Sequence, residues 1–174
     1  MTADEYLYDT DETNQPMELE FGLLREPPAP FYSHQVLVLR TAQLLSNYGE
    51  HLGQVVVAPI DVVLDREKAL ILQPDVLFIA NERKAIIRDQ IWGAPDLVVE
   101  VLSPGTAARD RTQKRGWYRQ YGVREYWLVD PAQSQVTLLD FTGGQPVERI
   151  ARGGHAVRSA VLSDLIVRAH VILG

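Results

Sequence analysis

The sequence predicts an α/β domain, α+β-like in its order of elements, and three observations support that class. Residues 93–130 read as strand, helix, strand: Asp96 to Leu102 and Tyr126 to Asp130 are almost wholly apolar runs of strand length, and the polar segment between them is long enough for a helix. A strand, a helix and a strand in this order form a parallel crossover, right-handed by rule. Ahead of the crossover, strand-like runs at Gln54 to Ala58 (continuing through Val62 to Leu64) and Pro74 to Ala80 lead into Asp96 to Leu102 as a meander. The 174 residues are 46% hydrophobic and 23% charged, an ordinary globular composition, and suffice for one domain with a core of its own.

Met1 to Pro16 is polar, acidic and without periodicity, and is expected to be a flexible arm; residues 17–174 are expected to form the single domain. Met17 to Arg25 alternates weakly, as an edge strand or short hairpin does, and Pro27-Pro28-Ala29-Pro30 ends it as a stiff connector. A helix is predicted from Ser33, its cap, with Leu37, Leu44, Leu45 and Tyr48 at helical spacing and Gly49 and Gly53 as its stop. Asp65 to Lys68 is a polar turn, and Asn81 to Gln90 a longer polar connection with room for a short helical piece. The second helix is predicted from Thr106 to Tyr121, ended by Gly122. Val136 to Phe141 pairs as a hairpin with the strand before it, and Ala156 to Leu173 supplies one or two edge strands.

The apolar runs fall far short of the ~20 residues of a membrane span. There are no cysteines and no signal-peptide pattern, so the expected compartment is the cytoplasm, without disulfides or thiolate metal sites. The net charge of −6 is unevenly spread. Seven of the 23 acids lie in the first 20 residues, which hold no Lys or Arg, leaving a body of 16 acids and 17 bases. Within that body Arg109, Arg111, Lys114, Arg115, Arg119 and Arg124 face only Asp110 over residues 104–124, a local excess that attracts phosphates or, more blandly, forms a solvated helix face.

Glu100 is the anomaly, a carboxylate inside an apolar strand. Such a group needs a proton, a hydrogen-bonding partner or a cation. Asp96 is on the same face but about 13 Å away at ~3.3 Å per residue, too far to share an ion. If the strand that begins at Asp75 pairs antiparallel with it, Asp75 comes beside Glu100, and the two acids suit Mg²⁺ or Mn²⁺, which take oxygen ligands. His34, His51, His155 and His170 are scattered and offer no cluster.

Four strings carry a resemblance over Glu18 to about Val171: Gln73-Pro74-Asp75-Val76; Gly93 to Pro104; Arg109-Asp110 followed by Lys114; and Val123 to Pro131. Together they resemble the Uma-type ("Uma two") restriction endonuclease family of the PD-(D/E)XK nuclease superfamily. The resemblance implies a restriction-endonuclease-like mixed β-sheet flanked by helices, with added N- and C-terminal edge strands. It also implies a Mg²⁺-dependent endonuclease, a hydrolase acting on DNA phosphodiesters, with Asp75 and Glu100 as metal ligands, and a homodimer that cuts both strands. The superfamily's strand lysine, two residues after the acid, is replaced here by Leu102. Lys114 is the substitute the resemblance points to; otherwise it makes a surface ion pair with Asp110 at i,i+4.

Glu18 either adds a metal or water contact or is an exposed edge residue. Asp96 is expected to order Ser103, a loop amide or a basic side chain, or to stand behind the ligands. Tyr118 shares a face with Asp110 and Lys114 and, with Trp117 and Tyr121, packs on the sheet in preference to stacking on a base. Arg109, Arg111, Arg115 and Arg119 are the expected DNA contacts. The reading from another class is a non-catalytic module that keeps the fold and binds nucleic acid or protein.

Overall fold

The computed structural model of the protein describes residues 1–9 and 16–174. Two sheets carry the fold. The larger is built on β3 (Gly53–Val57), β6 (Val76–Ala80), β8 (Leu97–Val101), β9 (Glu125–Asp130), β10 (Gln135–Asp140) and β11 (Val147–Arg152), in the order β11-β10-β9-β8-β6-β3. Only β8 and β9 run parallel, joined by the predicted crossover helix; every other neighbouring pair is antiparallel. Every residue of β8 and β9 is buried, which is why these strands read as continuous apolar runs rather than alternating ones.

The smaller sheet contains β1 (Glu18–Glu20), β2 (Leu23–Arg25), β4 (Val62–Asp65), β5 (Leu70–Leu72) and β7 (Ile91–Trp92), in the order β2-β1-β5-β4-β7. The run Val62 to Leu64 therefore belongs to a different sheet from β3 and does not continue it. Of the two alternatives for Met17 to Arg25 the short hairpin is found: β1 pairs antiparallel with β2, which is the edge strand, and β1 itself lies between β2 and β5. The short strands β5, β7 and β11 were not anticipated, being two to six residues long and lacking a clear two-residue alternation.

Helix α1 (Tyr32–Gly49) packs Leu37, Val38, Leu44 and Leu45 on one face of the large sheet, beside the C-terminal helix α3 (Ala169–Leu173). Its N-cap is Phe31, without a side-chain cap, rather than Ser33. The segments Ala107–Arg109, Asp110–Lys114 and Arg115–Tyr121 run on as one helix, α2, whose middle portion is a π-helix. Gly122 closes α2 at φ 95°, a conformation that favours glycine. The other face of the large sheet packs Leu77, Ile79, Val98, Leu102, Tyr126 and Leu128 against Tyr118 of α2 and Val62, Leu70 and Leu72 of the small sheet. The edge strands expected over Ala156 to Leu173 are corrected: β12 (Ala156–Arg158) and β13 (Ile166–Arg168) pair in a two-stranded sheet of their own, and Ala169–Leu173 is helical. Among the described residues no helix is long and apolar enough to cross a membrane.

The flexible arm expected over residues 1–16 is corrected over its first nine residues. Glu5–Asp9 is helical, and Ala3 and Tyr6 are buried against Leu19, Val63 and Ile71. The Tyr6 hydroxyl lies 2.9 Å from the Met17 carbonyl oxygen and 3.0 Å from Asp61 Oδ1, and Asp4 pairs with Arg66. Two apolar anchors in an acidic run leave no compositional signal, yet they suffice to seat it. Residues 10–15 of the expected arm lie outside the described residues.

Candidate active site

Asp75 and Glu100 come together through strand register. In the antiparallel β6–β8 pair Val76 stands opposite Val99, so Asp75, one residue earlier, falls beside Glu100, one residue later. The Asp75 carboxylate accepts the Val101 backbone N–H at 2.7 Å, which ties the start of β6 to the end of β8. Asp96 takes the opposite end of β8. It is fully buried, accepts the Ala80 N–H at 2.8 Å and lies 3.3 and 3.4 Å from Arg124 and Arg83. Of its expected roles, the ordering of an amide and of basic side chains is the one found.

Helix α2 lies across the carboxyl end of β8 and turns Lys114 and Tyr118 inward, one helical turn apart. Lys114 Nζ is 2.8 Å from Glu100 Oε1, 2.9 Å from Glu18 Oε1 and 3.7 Å from Asp110 Oδ1. The first two are hydrogen-bonding distances and the third is not. Lys114 is buried, and so is no surface ion pair. Tyr118 donates its hydroxyl to the same Glu100 oxygen at 2.9 Å. The π-helical portion that carries Asp110 and Lys114 widens the helix locally, and Tyr126 hydrogen-bonds the Asp110 carbonyl from the sheet below.

Glu18, from β1, is buried. It accepts the Gln73 N–H and binds both Lys114 and Arg109, and Arg109 also pairs with Glu20. His34 was the missed residue. It stands in the first turn of α1, with Nε2 3.3 Å from Asp75 Oδ2 and Nδ1 buried without a hydrogen-bond partner. No sequence spacing links a histidine at 34 to an aspartate at 75, so only the packing of α1 on the sheet reveals the pair.

The electrostatics follow from crowding carboxylates out of water. Burial pushes the Glu100 carboxyl well above its usual range; Lys114 opposes this, while Asp110, Asp75 and Glu18 add to it. Burial likewise raises Asp110. For Glu18 burial acts upward too, but Lys114, Arg109 and the Gln73 N–H outweigh it and the carboxyl is lowered. Burial would lower Lys114, yet Glu100, Glu18 and Asp110 hold it raised and protonated. His34 is raised in the same way, with Asp75 outweighing burial.

These groups line one cleft of about 410 Å³, with Asp75, Glu100, Lys114, Glu18, Arg109 and His34 among its lining residues. Its four carboxylates, Glu18, Asp75, Glu100 and Asp110, face two cations, Arg109 and Lys114. Asp110 Oδ1 is buried and has no hydrogen-bond partner. Among the described residues no three His, Asp or Glu side chains are arranged to hold a metal ion. Asp75 and Glu100 nonetheless suit a hard divalent cation: both donors are carboxylates, and Glu18 and Asp110 line the same cleft.

Most of the arginines expected to contact DNA are already paired. Arg109 binds Glu18 and Glu20, Arg111 binds Asp130 and Arg115 binds Glu148; Arg124, from the same basic run, binds Asp96. Arg119 is exposed.

A sequence profile of the Uma2 family, described as "Putative restriction endonuclease", matches residues 3–168. The chain belongs to the Uma2 family. An "Uncharacterized protein sll1609" of Synechocystis sp. is 29% identical over 133 residues, which make up 75% of this chain and 75% of that protein. The fold matches the crystal structure of "a putative nuclease belonging to DUF820" from Anabaena variabilis with a TM-score of 0.83, over 99% of this chain and 97% of that one, at 17% identity. This likeness bears out the mixed α/β class read from the sequence. Within the Uma2 match lie all the residues of the cleft's acid and lysine cluster.

Proposed function

We propose that this Uma2 protein is a metal-dependent endonuclease, hydrolysing DNA phosphodiesters at the cluster of Asp75, Glu100 and Lys114. The observation that carries the proposal is the 2.8 Å contact of Lys114 Nζ with Glu100 in the cleft that Asp75 also lines. A lysine delivered from α2 to Glu100 supports the reading that Lys114 takes the part of the strand-motif lysine, whose sequence position is held by Leu102, packed in the core.

Asp75 and Glu100 would hold Mg²⁺ or Mn²⁺, which when bound supplies Lewis acidity and lowers the pKa of a coordinated water. Lys114, kept protonated by three carboxylates, directs a proton donor at the attacking water or at a phosphate oxygen. Tyr118 fixes Glu100 by one oxygen, and Glu18 fixes Lys114. His34 and the Val101 N–H fix Asp75 by Oδ2. Each acid is thereby held through one oxygen while its other oxygen remains for a cation. A homodimer belongs to the same proposal, since symmetric pairs are the commonest assemblies.

Calorimetry with Mn²⁺ tests the ligands: wild type binds and Asp75→Ala does not. Supercoiled and circular single-stranded DNA test turnover: wild type nicks one or both with Mg²⁺ or Mn²⁺, and Glu100→Gln nicks neither. Cleavage retained in both variants would remove the assignment. The pairing of Arg109 and Arg111 with buried carboxylates favours the second reading, a binding module without turnover. That reading requires binding indifferent to Asp75→Ala and no cleavage under any metal.

A further inference from the structure

We infer that the cleft takes an unpaired nucleotide of a DNA strand, its base against an apolar wall and its phosphodiester over the acids, so that the substrate is single-stranded or locally unpaired DNA. This inference rests on the nuclease reading above and adds the substrate's strandedness to it.

The two parts of the cleft differ in chemistry. Its floor is polar and deep: the side chains of Glu100 and Lys114 are 6% and 5% exposed, and that of Asp75 18%. Its walls and mouth are apolar and stiff, formed by Pro27, Pro28, Pro30, Pro59 and Pro104 together with Phe31. Phe31 lines the cleft and is 69% exposed, so its ring is accessible to a ligand. Apolar rings beside an acidic floor suit a ligand with one flat hydrophobic end and one anionic end able to share a cation. A nucleotide has both, and base stacking on aromatic side chains is the usual means of holding an unpaired strand.

The charges argue against an intact duplex. Duplex binding draws most of its affinity from cations that neutralise phosphates. Arg109 and Lys114 are the cations lining the cleft, and both are held by Glu18, Glu20 or Glu100. Outside it, Arg111 of α2 is held by Asp130, Arg115 pairs with Glu148 at the surface, and Arg119 is exposed. A space of about 410 Å³ is of the size that encloses a small ligand. Bases inside a duplex are stacked and paired, so a base reaches such a wall only when it is unpaired or has been turned out.

The test is fluorescence anisotropy with a labelled 20-nucleotide DNA of mixed sequence, in Ca²⁺ to support binding without turnover. Three forms are compared: the single strand, its blunt duplex, and a single strand with abasic central positions. The single strand is expected to bind at least about tenfold tighter than the duplex, and loss of the bases to cost about tenfold, as loss of a stack does. Phe31→Ala should lower single-strand affinity by a similar factor, and Phe31→Tyr should keep it; Phe31 is exposed, so neither change touches the core. Equal or tighter binding of the duplex, or abasic strands bound as well as intact ones, overturns the inference. A duplex that is bound and cut with dependence on Asp75 overturns it and leaves the nuclease reading standing. Single-strand preference without cleavage under Mg²⁺ or Mn²⁺ supports the cleft assignment and removes the nuclease reading instead.

Discussion

Lys114 joins two needs that a single residue rarely serves together, compensating buried acids and facing a cleft. Lys114→Ala leaves Glu18, Glu100 and Asp110 facing one another, and breaking a buried charge cluster in this way costs about 3–5 kcal/mol. Cleavage should fall by orders of magnitude in nicking assays while Mn²⁺ still binds in calorimetry, and normal cleavage would remove Lys114 from the mechanism. Glu100 makes a pH prediction. Its folded-state carboxyl is raised above the unfolded value, so its stabilising contribution is complete below the unfolded pKa and is lost as pH rises through the folded one. In EDTA, Glu100→Gln should therefore be as stable as wild type or less so near pH 4 and gain on it steadily toward pH 8. Melting curves that stay parallel across that range would contradict this. His34 supplies the third test at this scale. His34→Ala should weaken Mn²⁺ binding by loosening Asp75, while His34→Gln, which offers an N–H near Nε2, should restore most of it. Equal affinities in the two variants, read by calorimetry, would show that the contact has no positioning role.

At the scale of elements, the site depends on β6 and β8 lying in one register, and β3 holds β6 from the other side. Gly53 marks how closely β3 approaches: a Cβ there would come 2.1 Å from the Ile79 carbonyl oxygen and 2.7 Å from the Phe78 ring. Both are rigid in the sheet. Gly53→Ala should cost about 1–3 kcal/mol in denaturant unfolding, the range for overpacking, and an unchanged midpoint would mean that β3 shifts freely. The same dependence on neighbours explains the crossover helix. Residues 106–121 look like a basic surface helix in one dimension, but α2 has a buried face of Asp110, Lys114 and Tyr118 and spends most of its arginines on acids of other elements.

At the scale of the molecule, the small sheet and the N-terminal segment form a platform that brings Glu18 to the cluster. Tyr6, buried with Ala3 over Leu19, Val63 and Ile71, seats that segment. Tyr6→Ala should lower stability by about 3–5 kcal/mol, the range for removing a buried aromatic ring, and thermal melting will read it. A loss under ~1 kcal/mol would mean that the segment is not part of the cooperative unit. Removing residues 1–9 should therefore destabilise the fold before any relief of acidic charge could be measured as tighter DNA binding.

The sequence by itself determined the class of the domain and the parallel crossover. Both are local, since an apolar run of strand length and a helix cap at Gly122 follow from neighbouring residues, whereas Asp75 beside Glu100 followed only on the condition that their two strands lie antiparallel. It also pointed to Lys114, because a missing lysine at Leu102 asks for another within reach. Contacts between residues far apart in the chain belonged to the tertiary structure. The burial of Glu18 and the anchoring of Tyr6 depend on a small sheet assembled from strands of two to four residues, too short to show a period. The contact of His34 with Asp75 spans 41 residues and depends on how α1 packs. Charge was the least legible quantity: a basic run reads the same whether its arginines face solvent or acids, and only their partners in space show that most are already neutralised.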